Sequence, residues 1–326
     1  MSNDWVQRNR LHYSDFKDVK KLVDQKVKKN LSISLCLPTL NEGETIGNVV
    51  NTFKSELMDH YPLIDEMIVI DSGSTDKTCE IAADYGADVY EDKDILPDLK
   101  EQFKGKGENL WKALYITNGD IILYIDTDIK NIHEKFGYGM LGPLLMSDNI
   151  KFTKAFYDRP LATGSGEIQP VGGGRVTELV IRPLFALFIP ELTQFIQPLS
   201  GECAGFREIF EKIPFPVGYG IETSMIIDIW KRWSFDIIAQ VDLEKRIHRN
   251  RDIKALGRMS SAIIKTFLNR MEQLGFLDLQ TQLHNNITQY SRGEAGYQQN
   301  ISEINMQERP PIIELPEYRR KFNITL

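Results

Sequence analysis

Two aspartates, Asp126 and Asp128, come directly after an unbroken apolar run that begins at Ile121. Such a run is typical of a strand buried on both faces, and side chains two residues apart on a strand point the same way. The two carboxylates can therefore converge on one object, and a cation between them would offset their repulsion. Carboxylate oxygens suit Mg²⁺ or Mn²⁺. A divalent metal site and an ordinary strand-to-loop turn, where Asp is also common, both fit this motif.

The segments before this pair alternate between two patterns. Short apolar runs, typical of buried strands, are followed by stretches whose apolar residues recur at helical spacing. Strands that alternate with helices predict one mostly parallel, Rossmann-like α/β sheet with helices on both faces. The predicted strands are 33–37, 67–71, 87–90 and 121–128, and the predicted helices begin near 46, 76 and 106.

This regular alternation ends after Asp128. Glycine-rich loops separate the later elements, and from Leu256 onward the pattern predicts helices that wrap around the domain or form a dimer contact. The predicted strands are 150–157 and 235–243, the glycine-rich loops are 163–166 and 172–174, and the predicted helices are 175–189 and 221–233.

The composition restricts the class of protein. The 326 residues are 42% hydrophobic and 26% charged, which is typical of a globular protein with one large domain. A formal net charge of −7 argues against a general nucleic-acid binder, which needs a positive surface. The three cysteines form no CxxC pair, so a reducing cytoplasm fits best. The most apolar later stretch, 179–196, is interrupted by charges and prolines, so no transmembrane span is expected.

The N-terminal segment 1–30 is rich in lysine and arginine and has an apolar stripe at helical spacing. The stripe consists of Phe16, Val19, Val23 and Val27. It predicts an amphipathic helix docked on the domain, and a helix that lies on a membrane surface is the alternative.

Polar residues follow two neighbouring strands at the edge where open α/β sheets bind ligands. Glu42, Asp71 and Ser72 are candidates for hydrogen bonds to a ribose or a uracil edge, and their alternative role is capping. Lys106 lies between two glycines. Because glycine has no side chain, Lys106 can approach a diphosphate or a base closely, unless it is an ordinary exposed lysine.

Segments in both halves of the chain carry a family resemblance. The first-half segments are similar to the nucleotide-sugar half of GT-A glycosyltransferases, and they are 38–42, 71–76, 105–111 and 126–128. The second-half segments resemble glucosyl-3-phosphoglycerate synthases, retaining enzymes that begin glucosylglycerate synthesis, and they are 172–179, 197–202, 218–222 and 248–250. The resemblance extends over residues 32–252, and its second-half motifs are the more specific ones.

The resemblance implies a role for each group of residues. Asp128 and His248 would ligate Mg²⁺ or Mn²⁺, and Asp126 would contact the sugar or the metal, although an isolated histidine is more often structural. The implied catalytic residues are Asp126, Asp128 and Glu222. The implied donor-binding residues are Pro38, Leu40, Glu42, Asp71, Ser72, Lys106, Asp126, Tyr219 and Glu222. The implied acceptor-binding residues are Gly174, Arg175, Val176, Thr177 and Asn250.

The segment 174–177 fits a phosphate cradle at a helix N-terminus. Backbone N–H groups, the helix dipole, the Arg175 guanidinium and the Thr177 hydroxyl would together bind the acceptor's phosphate. A glycine linker before an ordinary helix is the alternative interpretation.

The implied reaction transfers glucose from UDP-glucose to the 2-hydroxyl of D-3-phosphoglycerate and retains the α configuration. The sequence identifies no second carboxylate placed as a nucleophile, so the hypothesis is front-face attack, in which the departing phosphate takes the hydroxyl proton. Three alternatives remain: a mannosyl-3-phosphoglycerate synthase that uses GDP-mannose, a polyprenyl-phosphate glycosyltransferase, and a non-catalytic nucleotide-sugar sensor.

The resemblance also implies a homodimer, whereas the net charge argues against a nucleic-acid partner and the sequence pattern divides the chain. The predicted segments are an N-terminal helical leader at 1–30, a nucleotide-sugar-binding half at 31–130, an acceptor-binding half of the same domain at 131–255, and a helical C-terminal extension at 256–326.

Overall fold

The computed structural model describes residues 4–162, 168–169, 174–247, 252–294, 296–304 and 306–325. The strands are β1 Arg10–His12, β2 Ile33–Thr39, β3 Glu66–Asp71, β4 Asp88–Glu91, β5 Ile121–Tyr124, β6 Phe152–Asp158, β7 Leu161–Ala162, β8 Ile168–Gln169, β9 Cys203–Phe206, β10 Phe215–Pro216, β11 Ile238–Lys245, β12 Asn286–Gly293, β13 Gly296–Glu303 and β14 Glu308–Arg309.

Helices occupy most of the connections between these strands. The α-helices are α1 Asp4–Asn9, α2 Val19–Lys28, α3 Ile46–Lys54, α4 Thr78–Asp84, α5 Lys106–Ile116, α6 Lys135–Met146, α7 Arg182–Phe188, α8 Arg207–Phe210, α9 Ile221–Trp233, α10 Ile253–Gln273 and α11 Pro316–Phe322. Short 3₁₀ helices are Tyr13–Phe16, Asp92–Asp94, Pro190–Gln194, Phe235–Ile237 and Ile312–Glu314, and π-helical turns are Ser55–His60 and Thr177–Ile181.

Eight strands form the central sheet in the order β1-β11-β6-β9-β5-β2-β3-β4. All neighbouring pairs are parallel except those of β9, which is antiparallel to both β5 and β6. The predicted mostly parallel sheet is therefore confirmed. The sequence did not predict β9, because four residues, two of them Ala and Gly, give too short a pattern.

Both faces of the sheet are covered by apolar clusters, which explains the unbroken apolar runs. In β5, Ile121 and Leu123 pack into one cluster, while Ile122 and Tyr124 pack into the other. A strand buried on both faces gains nothing from polar residues at alternate positions, so its sequence is apolar throughout. The buried strand ends at Tyr124, so Asp126 follows it at the carboxyl edge of the sheet.

The N-terminal segment differs from the predicted helical leader, because β1 joins the sheet edge beside β11. Helix α2 packs against α6 but buries Val19, Leu22 and Lys26, whereas Val27 is 68% exposed. The predicted stripe is therefore wrong at Val27. Lys26 replaces it on the buried face, since its ammonium reaches the Pro62 carbonyl and a carboxylate oxygen of Asp65, each at 2.7 Å.

The C-terminal region contains the predicted helices in α10 and α11, but the prediction of helices alone is wrong at 286–303. There β12 and β13 form an antiparallel hairpin. Its residues are mostly polar, and on β12 exposed and half-buried positions alternate with the period of a strand. Farther along, β14 pairs with β10. No helix within the described ranges is long and apolar enough to cross a membrane.

Candidate active site

A cavity of about 730 Å³ opens at the carboxyl ends of β2, β3 and β5. The start of α5, the turn before α9 and one side of α10 complete its wall. With the exception of Asp71, every described residue of the predicted catalytic, donor and acceptor sets lines this cavity. They are Pro38, Leu40, Glu42, Ser72, Lys106, Asp126, Asp128, Gly174, Arg175, Val176, Thr177, Tyr219 and Glu222.

Asp71 stabilises its own loop instead of facing the cavity. Its carboxylate accepts hydrogen bonds from the backbone N–H groups of Gly73 at 2.8 Å and Ser74 at 2.6 Å, and from the Ser74 hydroxyl. The residue is 1% exposed. The capping interpretation of Asp71 therefore agrees with the structure, and the prediction that it contacts the donor does not.

The loops after β2 and β3 are joined by side-chain hydrogen bonds. The Asn41 amide oxygen accepts from the Thr75 N–H at 2.8 Å, and the Glu42 N–H donates to the Thr78 hydroxyl at 2.9 Å. Asn41 adopts a left-handed backbone with φ of 54°, which asparagine tolerates better than most residues. These bonds hold Leu40 and Glu42 at the cavity rim.

Ser72 is held by Asn109, a residue that the sequence analysis did not select. The Asn109 amide nitrogen donates to the Ser72 hydroxyl at 2.8 Å and to the Ile70 carbonyl at 3.0 Å. Its amide oxygen is buried and has no hydrogen-bond partner among the described residues. Buried polar atoms are normally paired, so this oxygen is an exception within the described part of the chain.

Lys106 joins two of the predicted catalytic carboxylates. Its ammonium lies 2.6 Å from Oδ1 of Asp126 and 2.9 Å from Oε1 of Glu222. Burial alone would raise the pKa of the Asp126 carboxyl, but Lys106 and Arg246 hold it well below its usual range. Burial likewise opposes the charge of Lys106, yet the two carboxylates raise its pKa above the ordinary value. The Asp126 carboxylate and the Lys106 ammonium are therefore both charged at neutral pH.

The glycines beside Lys106 serve a purpose that differs from the predicted one. A Cβ on Gly107 would lie 1.8 Å from the Pro216 carbonyl oxygen, and one on Gly105 would lie 2.5 Å from that of Val217. Gly105 also has φ of 145°, which disfavours any side chain. The glycines thus let the backbone of 216–218 pack directly on the start of α5, and this contact places Lys106 beside Glu222.

Asp126 and Asp128 converge on one point, as their spacing predicts. Nη2 of Arg246 lies 3.1 Å from Oδ2 of Asp126 and 2.5 Å from Oδ1 of Asp128. The guanidinium therefore lies where a cation contacts both carboxylates, and this pair of hard oxygen donors fits Mg²⁺ or Mn²⁺. Within the described ranges, no group of three or more His, Cys, Asp or Glu side chains forms a metal cage. The predicted ligand His248 lies outside those ranges.

Arg246 is itself fixed by a buried acidic partner. Its Nε lies 3.4 Å from Oε1 of Glu202, and its Nη1 donates to the Tyr157 hydroxyl at 3.1 Å. Tyr157 in turn donates to Glu202. Burial disfavours the guanidinium charge, but Glu202 and the two aspartates keep the pKa of Arg246 well above its ordinary value. The cluster thus presents a permanent positive charge beside the aspartates.

The predicted phosphate cradle lies on the same cavity as the aspartates. Gly174 has φ of 77°, and the helical chain begins at Arg175 and passes through the π-helical turn Thr177–Ile181 into α7. Pro183 has no N–H to donate to the carbonyl four residues earlier, which accounts for the irregular turn. The structure therefore brings Gly174 and Arg175 to the site. Asn250, the last predicted acceptor residue, lies outside the described ranges.

Several charged residues of this site were not predicted from the sequence. Arg246 and Arg159 line the cavity, and Arg258 reaches it from α10. Arg246 precedes His248 by two residues, so the alternation argument applied to the aspartates would have selected it. No local sequence pattern marks Arg159 or Arg258, because only the tertiary structure brings them to the cavity.

Comparisons with known proteins agree with this geometry. Residues 34–136 match the family described as glycosyl transferase family 2. Over 320 residues the chain is 52% identical to a glucosyl-3-phosphoglycerate synthase of Petrotoga mobilis, and the match covers 98% of each chain. The chain belongs to the glucosyl-3-phosphoglycerate synthase family. The predictions of a glycosyltransferase and of the GT-A fold class are confirmed.

Two solved structures share the whole fold. A mannosyl-3-phosphoglycerate synthase from Rubrobacter xylanophilus is 35% identical, with a TM-score of 0.88, and the match covers 96% of this chain and 99% of that one. The glucosyl-3-phosphoglycerate synthase of Mycobacterium tuberculosis is 39% identical, with a TM-score of 0.79, and the match covers 91% and 95%. The latter structure contains Mn²⁺, UDP and phosphoglyceric acid. Enzymes named for either hexose thus share this fold.

Proposed function

We propose that the chain transfers glucose from UDP-glucose to the 2-hydroxyl of 3-phosphoglycerate, with retention of the α configuration and release of UDP. The carrying observation is the 52% identity, over 98% of each chain, to a glucosyl-3-phosphoglycerate synthase. The cavity supports the proposal, because it joins the nucleotide-side loops, the two aspartates and the segment 174–177 in one space.

The donor is proposed to lie between the β2 and β3 loops and the start of α9. Glu42 and Ser72 offer hydrogen bonds to the ribose and base. Leu40 and Tyr219, which are 51% and 40% exposed, offer apolar surface at the rim. Pro38 also lines this part of the cavity, whereas Asp71 is left out because its carboxylate holds its own loop.

The metal is proposed to be Mg²⁺ or Mn²⁺, held by Asp128 with His248. When bound, it neutralises charge on the diphosphate. Asp126 and Glu222, both fixed by Lys106, orient the glucose hydroxyls. Arg246 is close enough to both aspartates to offset their charge.

The acceptor is proposed to enter from the side of 174–177. Arg175 and the Thr177 hydroxyl bind its phosphate, with the backbone N–H groups at the helix start, and Val176 and Asn250 complete the pocket. Its 2-hydroxyl then attacks on the face from which UDP leaves, and the departing phosphate accepts the proton. Glu222 is a poor candidate for a nucleophile, because its carboxylate is paired with Lys106 at 2.9 Å.

A matrix of donors and acceptors, read by product mass with and without EDTA, tests this proposal. UDP-glucose with 3-phosphoglycerate should give glucosyl-3-phosphoglycerate, and EDTA should abolish it until Mg²⁺ or Mn²⁺ is restored. Turnover that survives EDTA would remove the metal from the proposal. A glucosyl adduct on a peptide containing Glu222, found by mass spectrometry, would replace front-face attack with a covalent intermediate.

The second candidate is mannosyl transfer from GDP-mannose to the same acceptor. It rests on the TM-score of 0.88 with the mannosyl-3-phosphoglycerate synthase. The same matrix decides between them, since a higher kcat/KM with GDP-mannose than with UDP-glucose would reverse the order of the two candidates.

We also propose a homodimer in a reducing cytoplasm. The cytoplasmic assignment is supported by three free thiols, of which Cys36 and Cys203 are buried. Sedimentation equilibrium of the purified chain tests the dimer, and a single species with the mass of one chain at micromolar concentration would contradict it.

A further inference from the structure

A buried ion pair connects the C-terminal segment to the helix that carries Lys106. Nε and Nη2 of Arg309 lie 2.8 Å and 2.7 Å from the two carboxylate oxygens of Glu108, in a bidentate arrangement. The Glu108 side chain is fully buried and that of Arg309 is 8% exposed. Lys112, one turn along α5, lies 3.3 Å from the same carboxylate. Bidentate guanidinium–carboxylate pairs fix orientation as well as distance.

The contacts of Arg309 extend along the start of α5. Its guanidinium lies over the ring of Phe103 at 4.3 Å and that of Trp111 at 5.2 Å, and it donates to the Glu101 carbonyl at 2.7 Å. The Trp111 indole N–H donates to the Pro310 carbonyl at 2.8 Å. One side chain thus holds residues on both sides of Lys106.

The same segment supports the turn that leads to Glu222. Strand β14 pairs with β10, and the Val217 N–H donates to the Gln307 carbonyl at 2.9 Å. On the other side, the Glu108 N–H donates to the Val217 carbonyl at 3.3 Å. The backbone of 216–218 is therefore enclosed between the start of α5 and the C-terminal strand. Lys106 is the first residue of α5, and Glu222 lies in the first turn of α9, which follows the enclosed segment.

We propose that Arg309 is a positioning residue for the donor site: through Glu108 and the β10–β14 pair, it fixes the separation between Lys106 and Glu222. The inference rests on the proposed function, because it takes these two residues to contact the donor. We therefore expect Arg309 variants to change the kinetic constants for the donor and to leave those for the acceptor unchanged. Arg175 and Thr177 belong to the segment 174–181, which has no hydrogen bond or ion pair to Arg309 or Glu108 among those described.

The test compares Arg309→Met with a matched control, Lys26→Met. Lys26 is also a buried cation, paired with Asp65 at 2.7 Å, but it belongs to α2. Arg309→Met should lower kcat/KM for UDP-glucose by roughly ten- to a hundredfold, as a displaced catalytic group does, and leave the KM for 3-phosphoglycerate unchanged. Lys26→Met should lower the melting temperature without changing either constant. Arg309→Lys, which keeps one charged contact, should recover part of the loss.

Hydrogen exchange of the unliganded protein gives a second measurement that does not depend on the substrate. In Arg309→Met, the backbone amides of 106–110 and 217–222 should exchange faster, whereas those of 176–181 should not. Unchanged exchange at 106–110 and 217–222, or equal effects on donor and acceptor constants, would overturn the proposal. If the wild-type chain does not use UDP-glucose, the proposed function fails, and the exchange experiment still decides whether Arg309 positions this part of the site.

Discussion

Two ionic clusters each include one residue from the first turn of α5, Lys106 in one and Glu108 in the other. The two clusters differ in their access to the cavity. In the open cluster, the side chains of Lys106, Asp126 and Glu222 are 13% to 21% exposed. In the closed cluster, Glu108 is fully buried and Arg309 nearly so. A charged ligand can replace a partner in the open cluster, whereas loss of a partner in the closed cluster leaves a charge without water. Substitutions in the first should therefore change turnover more than stability, and those in the second should do the reverse.

Asp128→Ala should give the largest effect, on turnover. We expect kcat to fall on the order of a thousandfold, or about 4 kcal/mol of transition-state stabilisation, because the variant removes a metal ligand. The melting temperature should change little, since the side chain is 27% exposed and fills no core volume. Steady-state assays and a thermal melt measure both, with Asp148→Ala, a substitution of an aspartate that is 93% exposed, as the control. Wild-type turnover in Asp128→Ala would contradict the assignment of Asp128 as a metal ligand.

Arg309→Met should give the largest effect on stability. The substitution removes the bidentate partner of buried Glu108 and leaves it the longer contact with Lys112 at 3.3 Å, so we expect the free energy of unfolding to fall by about 3 kcal/mol. Urea denaturation at pH 7 measures this change. The matched surface pair is Lys54 and Asp59, whose side chains are 37% and 63% exposed, and Lys54→Met should cost less than about 1 kcal/mol. Equal losses in both variants would erase the distinction between the closed cluster and an ordinary surface pair.

Lys106→Met should reduce kcat/KM on the order of a hundredfold, or about 2.7 kcal/mol, because Asp126 and Glu222 lose their shared cation. Burial raises the pKa of Asp126, and Lys106 is the largest influence that lowers it. With Lys106 removed, the pKa of Asp126 should rise, so the acid limb of the pH profile should move to higher pH. An acid limb that stays in place would show that Lys106 does not control the ionisation of Asp126.

Arg175→Ala should raise the KM for 3-phosphoglycerate through the loss of a charge-assisted contact worth about 1.5 to 3 kcal/mol. The KM for UDP-glucose serves as the internal control and should not change. Arg175 lies outside both clusters, so this variant tests whether the acceptor side of the cavity works independently of them. An unchanged acceptor constant would remove Arg175 from the phosphate site.

Ser72→Ala should give the smallest effect, about 1 kcal/mol or a few-fold in the KM for UDP-glucose, because one neutral hydrogen bond from Asn109 is lost. The measurement is donor titration at saturating acceptor. A loss as large as that of Lys106→Met would mean that the Ser72 hydroxyl contributes as much to use of the donor as the open cluster does.

Local pattern was enough for much of the fold. Helix α9 begins and ends at the predicted residues, and the strands at Ile33, Met67 and Ile121 were predicted from apolar runs alone. The failures have physical causes. Strand β9 is too short to show a period, and the hairpin at 286–303 has a pattern formed mainly by polar residues.

The candidate site was likewise predictable from local sequence only in part. The spacing of Asp126 and Asp128 determined by itself that their carboxylates converge, because alternation along a strand is a local property. The partners of these residues were decided only by the tertiary structure. Arg246 lies 118 and 120 residues from the two aspartates, and Arg309 lies 201 residues from Glu108. Which distant side chains become neighbours depends on the strand order and on the packing of both apolar clusters, and no period in the sequence records these contacts.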